Sequence, residues 1–149
     1  MKLPSYITDF DSWKKGFQFY TTINIRFSET DMFGHVNNVS PFIYFEEARI
    51  NYLNKLGVFG TLDQETEKVP VVGDLQCDFL QQMYFGEQIK LFVKVDYVGK
   101  SSIDIHYMAK NGKDDICLTG RGRIVQISSK TGKSEPFNEE QIKILQHKK

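Results

Sequence analysis

The sequence predicts an α+β fold in which one long helix packs against a single curved antiparallel sheet. Apolar residues alternate with polar ones in residues 19–27 and again after residue 68, as in strands that bury one face. Residues 41–56 are apolar over more than one helical stripe, which predicts a helix enclosed on several sides. Short turns join the later strands, and 149 residues suit a single domain.

The first elements have clear boundaries in the sequence. Residues 1–19 are interpreted as an N-terminal lead-in segment with one short amphipathic turn. Ser40 is a preferred helix N-cap, and Pro41 suits the first helical position. Gly57 is a natural C-terminal stop for the same helix.

Four further strands are predicted from alternating apolar residues, which lie within 75–79, 89–95, 103–107 and 116–127. Gly120 and Gly122 point the same way along the last strand, which lets a helix, a partner chain or a ligand approach closely. The last predicted strand and the turn after it are followed by residues 138–149, which we interpret as a C-terminal tail.

The charge and composition exclude two classes of protein. Nineteen Lys and Arg residues balance nineteen Asp and Glu residues, whereas a general nucleic-acid binder usually has a basic excess. Hydrophobic residues make up 40% of the chain and aromatic residues 13%, which a disordered chain does not contain. We therefore expect a folded domain that does not have nucleic acid as a partner.

The cysteines, histidines and apolar runs indicate the compartment and the absence of a metal. Cys77 and Cys117 have no CxxC spacing, and nothing requires a disulfide, so we interpret them as free thiols. The sequence has only two Cys and three His residues as ligands for a His/Cys metal site, and we expect no metal. No apolar run approaches the ~18 residues of a membrane span, and no signal peptide is evident. These features predict a cytoplasmic protein without a membrane span.

The residues with chemical potential concentrate in residues 28–40, directly before the predicted helix. Asp31, His35, Asn37 and Asn38 follow one another closely there. A helix N-terminus has unpaired N–H groups and a positive dipole end that can polarise a carbonyl. A nearby carboxylate can act as a nucleophile or as a general base on water, and an imidazole can orient it. These are the parts that acyl transfer needs.

Each of these residues also has a purely structural interpretation. Asp31 suits a turn in which its carboxylate binds the local backbone, and His35 suits a structural role. Asn37 and Asn38 suit left-handed loop conformations. The aromatic residues of the helix suit either an acyl pocket or the core. Spacing alone leaves both interpretations open.

The segment also carries motifs of a known enzyme family. The stretch from Arg26 to Arg49 reads RFSETDMFGHVNNVSPFIYFEEAR. Its Asp-containing turn, its Gly-His-Val-Asn-Asn motif and its aromatic helix with Glu-Glu-Ala-Arg resemble the hotdog-fold acyl-CoA thioesterases of the 4-hydroxybenzoyl-CoA thioesterase type. Weaker matches extend the resemblance over residues 20–137, which is almost the whole predicted sheet and helix.

The resemblance implies a hotdog fold, in which a sheet wraps a long helix, and hydrolysis of acyl-CoA to a free acid and coenzyme A. It implies that Asp31 is the catalytic carboxylate, that His35 assists it, and that the backbone N–H of Asn38 polarises the thioester carbonyl. It implies that Lys100 and Ser101 form a turn that contacts the nucleotide end of coenzyme A. It further implies a homodimer or homotetramer with sites at the interface, and no cofactor beyond the coenzyme A of the substrate.

Three alternatives remain open at this point. An acyl carrier protein, for which the enzyme would need a basic surface patch, is another source of the thioester. A non-catalytic acyl-binding module or a hydratase that adds water to an enoyl thioester is also compatible with the fold. The sequence departs from the family at Pro41 and Gln82, where Tyr and Pro are usual, and this leaves the acyl group open.

Overall fold

The computed structural model describes residues 2–60 and 67–146. Within these ranges a single sheet contains strands β1 (Phe19–Asn24), β2 (Lys68–Phe79), β3 (Gln88–Val98), β4 (Ser102–Lys110) and β5 (Ile116–Ser128). The α-helices are α1 (Phe10–Lys15), α2 (Ser40–Leu56) and α3 (Glu139–Gln146), and a short 3-10 helix spans Phe27–Glu29. The predicted order of one strand, a long helix and four strands is confirmed.

The sheet is antiparallel throughout, with the strand order β1-β3-β4-β5-β2. Helix α2 packs on one face of the sheet, where its buried residues join those of the strands in the main hydrophobic core. The Phe45 ring stacks on Tyr107 of β4, with centroids 4.2 Å apart. The α+β architecture predicted from the sequence, with one long helix on a single sheet, is confirmed.

The two strand glycines admit different neighbours. A Cβ atom on Gly120 would lie 2.5 Å from the Phe45 ring, so the missing side chain makes room for α2. A Cβ atom on Gly122 would lie 2.6 Å from the side chain of Leu75, on the adjacent strand β2. Of the three possibilities left open for these glycines, the helix is therefore the neighbour at Gly120.

The start of α2 differs from its prediction, whereas its end agrees. Ser40 is the first helical residue and not the N-cap, so that prediction is wrong. The capping hydrogen bonds come from the side chain of Asn37, which accepts the N–H groups of Val39 and Ser40. Gly57 ends the helix in a left-handed conformation with φ 73°, as predicted.

The N-terminal lead-in covers the outer face of the sheet, opposite α2. Trp13 of α1 is buried with Ile7, Phe17 and the β4 residue Met108 in a second apolar cluster. Its indole N–H donates to Nδ1 of the buried His106 at 2.8 Å. The sheet is therefore sandwiched between α2 and the lead-in segment.

The C-terminal segment contributes to the main core. Helix α3 places Leu145 in that core, where it is fully buried. Gln141 donates to the backbone carbonyl of Val58 at 3.0 Å, close to the end of α2. The segment expected to be a tail therefore packs against the domain through residue 146, while residues 147–149 lie outside the described residues.

Two properties of the described residues bear on the earlier expectations. Cys77 is partly buried and Cys117 is buried, and both are free thiols, as interpreted from the sequence. No helix in residues 2–60 or 67–146 has the length and apolar character that crossing a bilayer requires.

Candidate functional site

The loop between β1 and α2 closes on itself through backbone hydrogen bonds. The N–H of Asp31 donates to the carbonyl of His35 at 2.7 Å, and the N–H of Gly34 donates to the carbonyl of Asp31 at 3.1 Å. Gly34 has φ 79°, a left-handed conformation that glycine adopts without strain. The loop is attached to the segment before β3, because Val36 N–H donates to the carbonyl of Met83.

The carboxylate of Asp31 is held by this loop through one of its oxygens. Oδ1 accepts the backbone N–H groups of Phe33 at 2.8 Å and His35 at 3.2 Å. Oδ2 has no hydrogen bond within the described part of the chain, and the residue is exposed. The turn role that the sequence left open is therefore present, and it leaves one carboxylate oxygen unengaged.

A cleft of about 510 Å³ lies beside this loop. Asp31, His35 and Asn38 line it, so the structure brings the three predicted catalytic residues together. The apolar part of its lining comes from Val36, Phe79, Leu80 and Met83. The cleft thus combines a carboxylate with an apolar surface.

The aromatic residues at the start of α2 contribute mainly to the core and not to this cleft. Phe45 and Tyr44 are buried, and Phe42 packs against the core cluster. The core interpretation of these aromatic residues is therefore the one that agrees with the structure, and the apolar lining of the cleft comes from Val36, the end of β2 and the segment after it.

The His35 side chain has aromatic neighbours. Its ring lies edge-on to Tyr84, with centroids 5.2 Å apart, and 6.4 Å from the ring of Phe33. The hydrogen bond from His35 to the Asp31 carboxylate comes from the backbone N–H and not from the imidazole. An orienting role for the imidazole stays a prediction.

Asn38 lies two residues before the first residue of α2, next to the helix N–H groups that lack helical partners. Within the described residues, its backbone N–H makes no hydrogen bond, while those of Val39 and Ser40 are bound by the Asn37 side chain. The positive end of the helix dipole adds to the attraction of this N–H group for an anionic oxygen. Neither Asn37 nor Asn38 has a left-handed backbone, so that structural interpretation is wrong.

Glu29, which the sequence did not single out, is a buried carboxylate that holds the loop before α2. Its side chain accepts the backbone N–H of Arg26 and the hydroxyl of Tyr44, each at 2.9 Å, and it pairs with the Arg26 guanidinium. Burial acts to raise the pKa of this carboxyl, but the hydrogen bonds from Arg26 and Tyr44 outweigh it and hold the pKa below its ordinary value. The three-residue spacing of Arg26 and Glu29 was the available signal.

Lys100 and Ser101 lie at the other end of the sheet. The chain between β1 and α2 borders the start of β3, because the N–H of Ile25 donates to the carbonyl of Glu87. Lys100 and Ser101, in contrast, follow the end of β3. Because β3 has 11 residues and a strand rises about 3.3 Å per residue, the two ends lie on the order of 30 Å apart. One chain does not bring this turn to the cleft, and its contact with coenzyme A stays a prediction.

The described residues contain no group of three or more His, Cys, Asp and Glu side chains placed to hold a metal ion. The cleft itself offers a carboxylate, an imidazole, the start of a helix and an apolar lining.

Comparisons with known proteins identify similar chains. Residues 25–145 match the thioesterase-like superfamily. The chain is 43% identical over 148 residues to the uncharacterized protein YsmA of Bacillus subtilis strain 168, covering 99% of each chain. It is also similar in structure to a predicted thioesterase from Bacillus stearothermophilus, with TM-score 0.78, 26% identity, and coverage of 86% of this chain and 93% of that one. DHNA-CoA thioesterase from Staphylococcus aureus matches with TM-score 0.71, 25% identity and 78% coverage of both chains.

Proposed function

The chain belongs to the thioesterase-like superfamily, and from that premise we propose that it hydrolyses acyl-CoA thioesters at the cleft beside α2. Its fold is the hotdog fold. The observation that carries the proposal is that one cleft with apolar walls is lined by both Asp31 and Asn38, and that the backbone N–H of Asn38, just before α2, has no hydrogen-bond partner in the structure. The likeness to a DHNA-CoA thioesterase supports a coenzyme A thioester as substrate. The motif at residues 31–38 supports the 4-hydroxybenzoyl-CoA thioesterase type.

In the general-base route, Asp31 takes a proton from a water molecule, and the oxygen of that water attacks the thioester carbonyl carbon. The carbonyl oxygen becomes negatively charged and accepts a hydrogen bond from the N–H of Asn38. Collapse of the tetrahedral intermediate breaks the C–S bond, and the departing thiolate recovers the proton from Asp31. The products are the free acid and coenzyme A.

In the nucleophilic route, the Asp31 carboxylate itself attacks the carbonyl carbon and displaces the thiolate. Water then hydrolyses the resulting anhydride and restores the carboxylate. The unengaged Oδ2 atom suits either route, because backbone N–H groups already hold the other oxygen. In single-turnover hydrolysis in isotopically labelled water, an unlabelled acid identifies the nucleophilic route, because water that attacks the Asp31 carbonyl carbon of the anhydride leaves a protein oxygen on the acid.

The proposal includes a homo-oligomer. Lys100 and Ser101 lie at the far end of β3 from the cleft of their own chain. Contact between this turn and the nucleotide end of coenzyme A at the cleft therefore requires the turn of a second copy.

A thiol-release assay over straight-chain acyl-CoAs and benzoyl-CoA tests the proposed activity. We expect wild type to hydrolyse at least one of these thioesters, and Asp31→Ala to lose about 10²-fold or more in kcat. Asp11→Ala is the matched control, because Asp11 is an exposed aspartate on α1, on the other face of the sheet. A folded Asp31→Ala protein with full activity would refute the mechanism.

The same assay separates the alternatives. Turnover of acyl carrier protein thioesters without turnover of acyl-CoA would favour the carrier-protein enzyme. Binding without hydrolysis of any thioester would favour the acyl-binding module, and hydration of an enoyl thioester would favour the hydratase. A carrier-protein enzyme would need a basic surface patch, and two cations of the sheet are already engaged within the chain: Arg121 pairs with Asp104 and Asp74, and Lys94 donates to the carbonyl of Trp13.

A further inference from the structure

Asn37 occupies the position from which a side chain can cap α2. Its Oδ1 atom accepts the N–H of Val39 at 3.0 Å and the N–H of Ser40 at 2.8 Å. A capping side chain reaches the N–H groups two and three residues ahead of it, and it cannot reach the N–H of the next residue. That next residue is Asn38.

The N–H groups of residues 38–42, at the entrance to α2, can be accounted for one by one. Those of Val39 and Ser40 are bound by Asn37, and Pro41 has none. The N–H of Phe42 donates to the carbonyl of Val39 at 3.1 Å. Among residues 38–42, the N–H of Asn38 is the one without a hydrogen-bond partner in the structure.

Asn37 is itself anchored to the segment that precedes the site loop. Its N–H donates to the carbonyl of Glu29 at 2.9 Å, and the Ser40 hydroxyl donates to the same carbonyl at 3.4 Å. The Glu29 side chain is fixed in turn by Arg26 and Tyr44. The orientation of the capping side chain is therefore set from outside the helix.

We propose that Asn37 is a positioning residue for the thioester carbonyl, which it directs to the N–H of Asn38 by occupying the neighbouring donors. This inference rests on the proposed thioester hydrolysis and extends it. Without the Asn37 side chain, the N–H groups of Val39 and Ser40 compete for the same oxygen. The carbonyl carbon then spends less time in line with the Asp31 carboxylate, so the loss falls on kcat more than on KM.

Three substitutions separate this role from simple helix capping. Asn37→Ala removes the acceptor, and we expect kcat to fall about tenfold or more with a smaller change in KM. Asn37→Ser keeps an uncharged acceptor, and we expect it to recover much of kcat. Asn37→Asp keeps the acceptor and suits a helix N-terminus, so its Tm stays near that of wild type. Its negative charge opposes the developing oxyanion, and we expect kcat to fall about tenfold.

Asn138→Ala is the matched control, because Asn138 caps α3 by accepting the N–H of Gln141 at 2.8 Å and does not line the cleft. We expect it to lower Tm, as Asn37→Ala does, and to leave kcat unchanged. All variants are measured in the acyl-CoA thiol-release assay beside Asp31→Ala, with Tm from thermal unfolding.

The possible outcomes separate the two proposals. If Asp31→Ala loses activity while Asn37→Asp and Asn37→Ala keep the kcat of wild type, the positioning role is wrong and the hydrolase stands. If wild type hydrolyses no acyl-CoA, the proposed function fails and this inference fails with it. A loss of kcat in Asn37→Ala that Asn37→Ser recovers supports the positioning role, provided that Asn138→Ala lowers Tm without lowering kcat, because the side-chain acceptor is what occupies the N–H groups of Val39 and Ser40.

Discussion

Two carboxylates that lie two residues apart in the chain have opposite surroundings. Glu29 is 9% exposed, and both its side chain and its carbonyl accept hydrogen bonds from the start of α2. Asp31 is exposed beside the cleft and is held through one oxygen by the backbone of its own loop. The two carboxylates therefore have different roles in this segment. Glu29 fixes the loop to the helix, and Asp31 keeps one carboxylate oxygen without a hydrogen bond, as the proposed chemistry requires.

The difference has a simple geometric origin. Ser40 and Tyr44 lie four residues apart on α2, so they face the same side of the helix and meet Glu29 together. Asp31 is beyond their reach because the chain enters the tight turn closed by Gly34. Substitutions at the two carboxylates should therefore affect different measurements.

Among substitutions that distinguish Glu29 from Asp31, Glu29→Gln is expected to have the largest effect. The substitution replaces a carboxylate whose hydrogen bonds involve a guanidinium and a buried hydroxyl, and we expect it to lower the free energy of unfolding by about 1–3 kcal/mol near neutral pH. The kcat of the folded fraction should stay within a few-fold of wild type. Urea unfolding and the thiol-release assay measure the two quantities. A loss of kcat as large as that of Asp31→Ala would contradict the separate roles of Glu29 and Asp31.

The same variant gives a pH dependence with a defined sign. The pKa of Glu29 is lower in the folded protein than its ordinary value, so the stabilisation from its ionised form is complete above the ordinary range for glutamate. It is lost as the pH falls through the lowered pKa. The stability gap between wild type and Glu29→Gln should therefore narrow on acidification, and a constant gap would contradict the role of the charge.

A smaller effect is expected for His35→Ala. Its imidazole contacts Tyr84 and Phe33, and it does not bind the Asp31 carboxylate in the structure. We expect kcat to fall less than about tenfold, which is less than for Asp31→Ala. Steady-state kinetics of the two variants side by side test this order. If His35→Ala were the more damaging change, the two roles would have to be exchanged.

The smallest effect is expected for Tyr44→Phe. The substitution removes the hydroxyl that donates to Glu29 and keeps the buried ring, while the Arg26 backbone N–H still binds the carboxylate. We expect the free energy of unfolding to fall by about 1 kcal/mol, with kcat unchanged within the folded fraction. Thermal unfolding checks this value. An effect larger than that of Glu29→Gln would mean that the hydroxyl, and not the carboxylate, anchors the loop.

The parts of the fold that depend on local periodicity were predictable from the sequence. The strands and α2 follow from alternating or helical apolar residues, and Gly57 ends the helix because few other residues adopt its backbone conformation. Helix α3 was missed, although Asn138 and Gln141 have the three-residue spacing of a capping box and bind each other reciprocally.

The parts that depend on contacts between distant segments were not predictable. Ser40 and Asn37 are both good capping residues, and only the packing of Glu29 decides which side chain turns toward the amides. The motif grouped Asp31, His35 and Asn38 correctly because they lie within one loop. It also associated them with Lys100 and Ser101, whose distance from the loop is set by the length of β3.

The second layer on the outer face of the sheet gives the molecule a built-in optical probe. Trp13 is the single tryptophan of the sequence, and it is buried against His106 and Phe17, on the face opposite α2. Its fluorescence therefore reports the docking of the lead-in segment on β4 and not the state of the cleft. In an unfolding experiment, this emission and the far-ultraviolet signal of the sheet follow two different layers. If the two unfolding transitions coincide, the lead-in and the sheet unfold as one cooperative unit; if they occur separately, the two layers unfold independently.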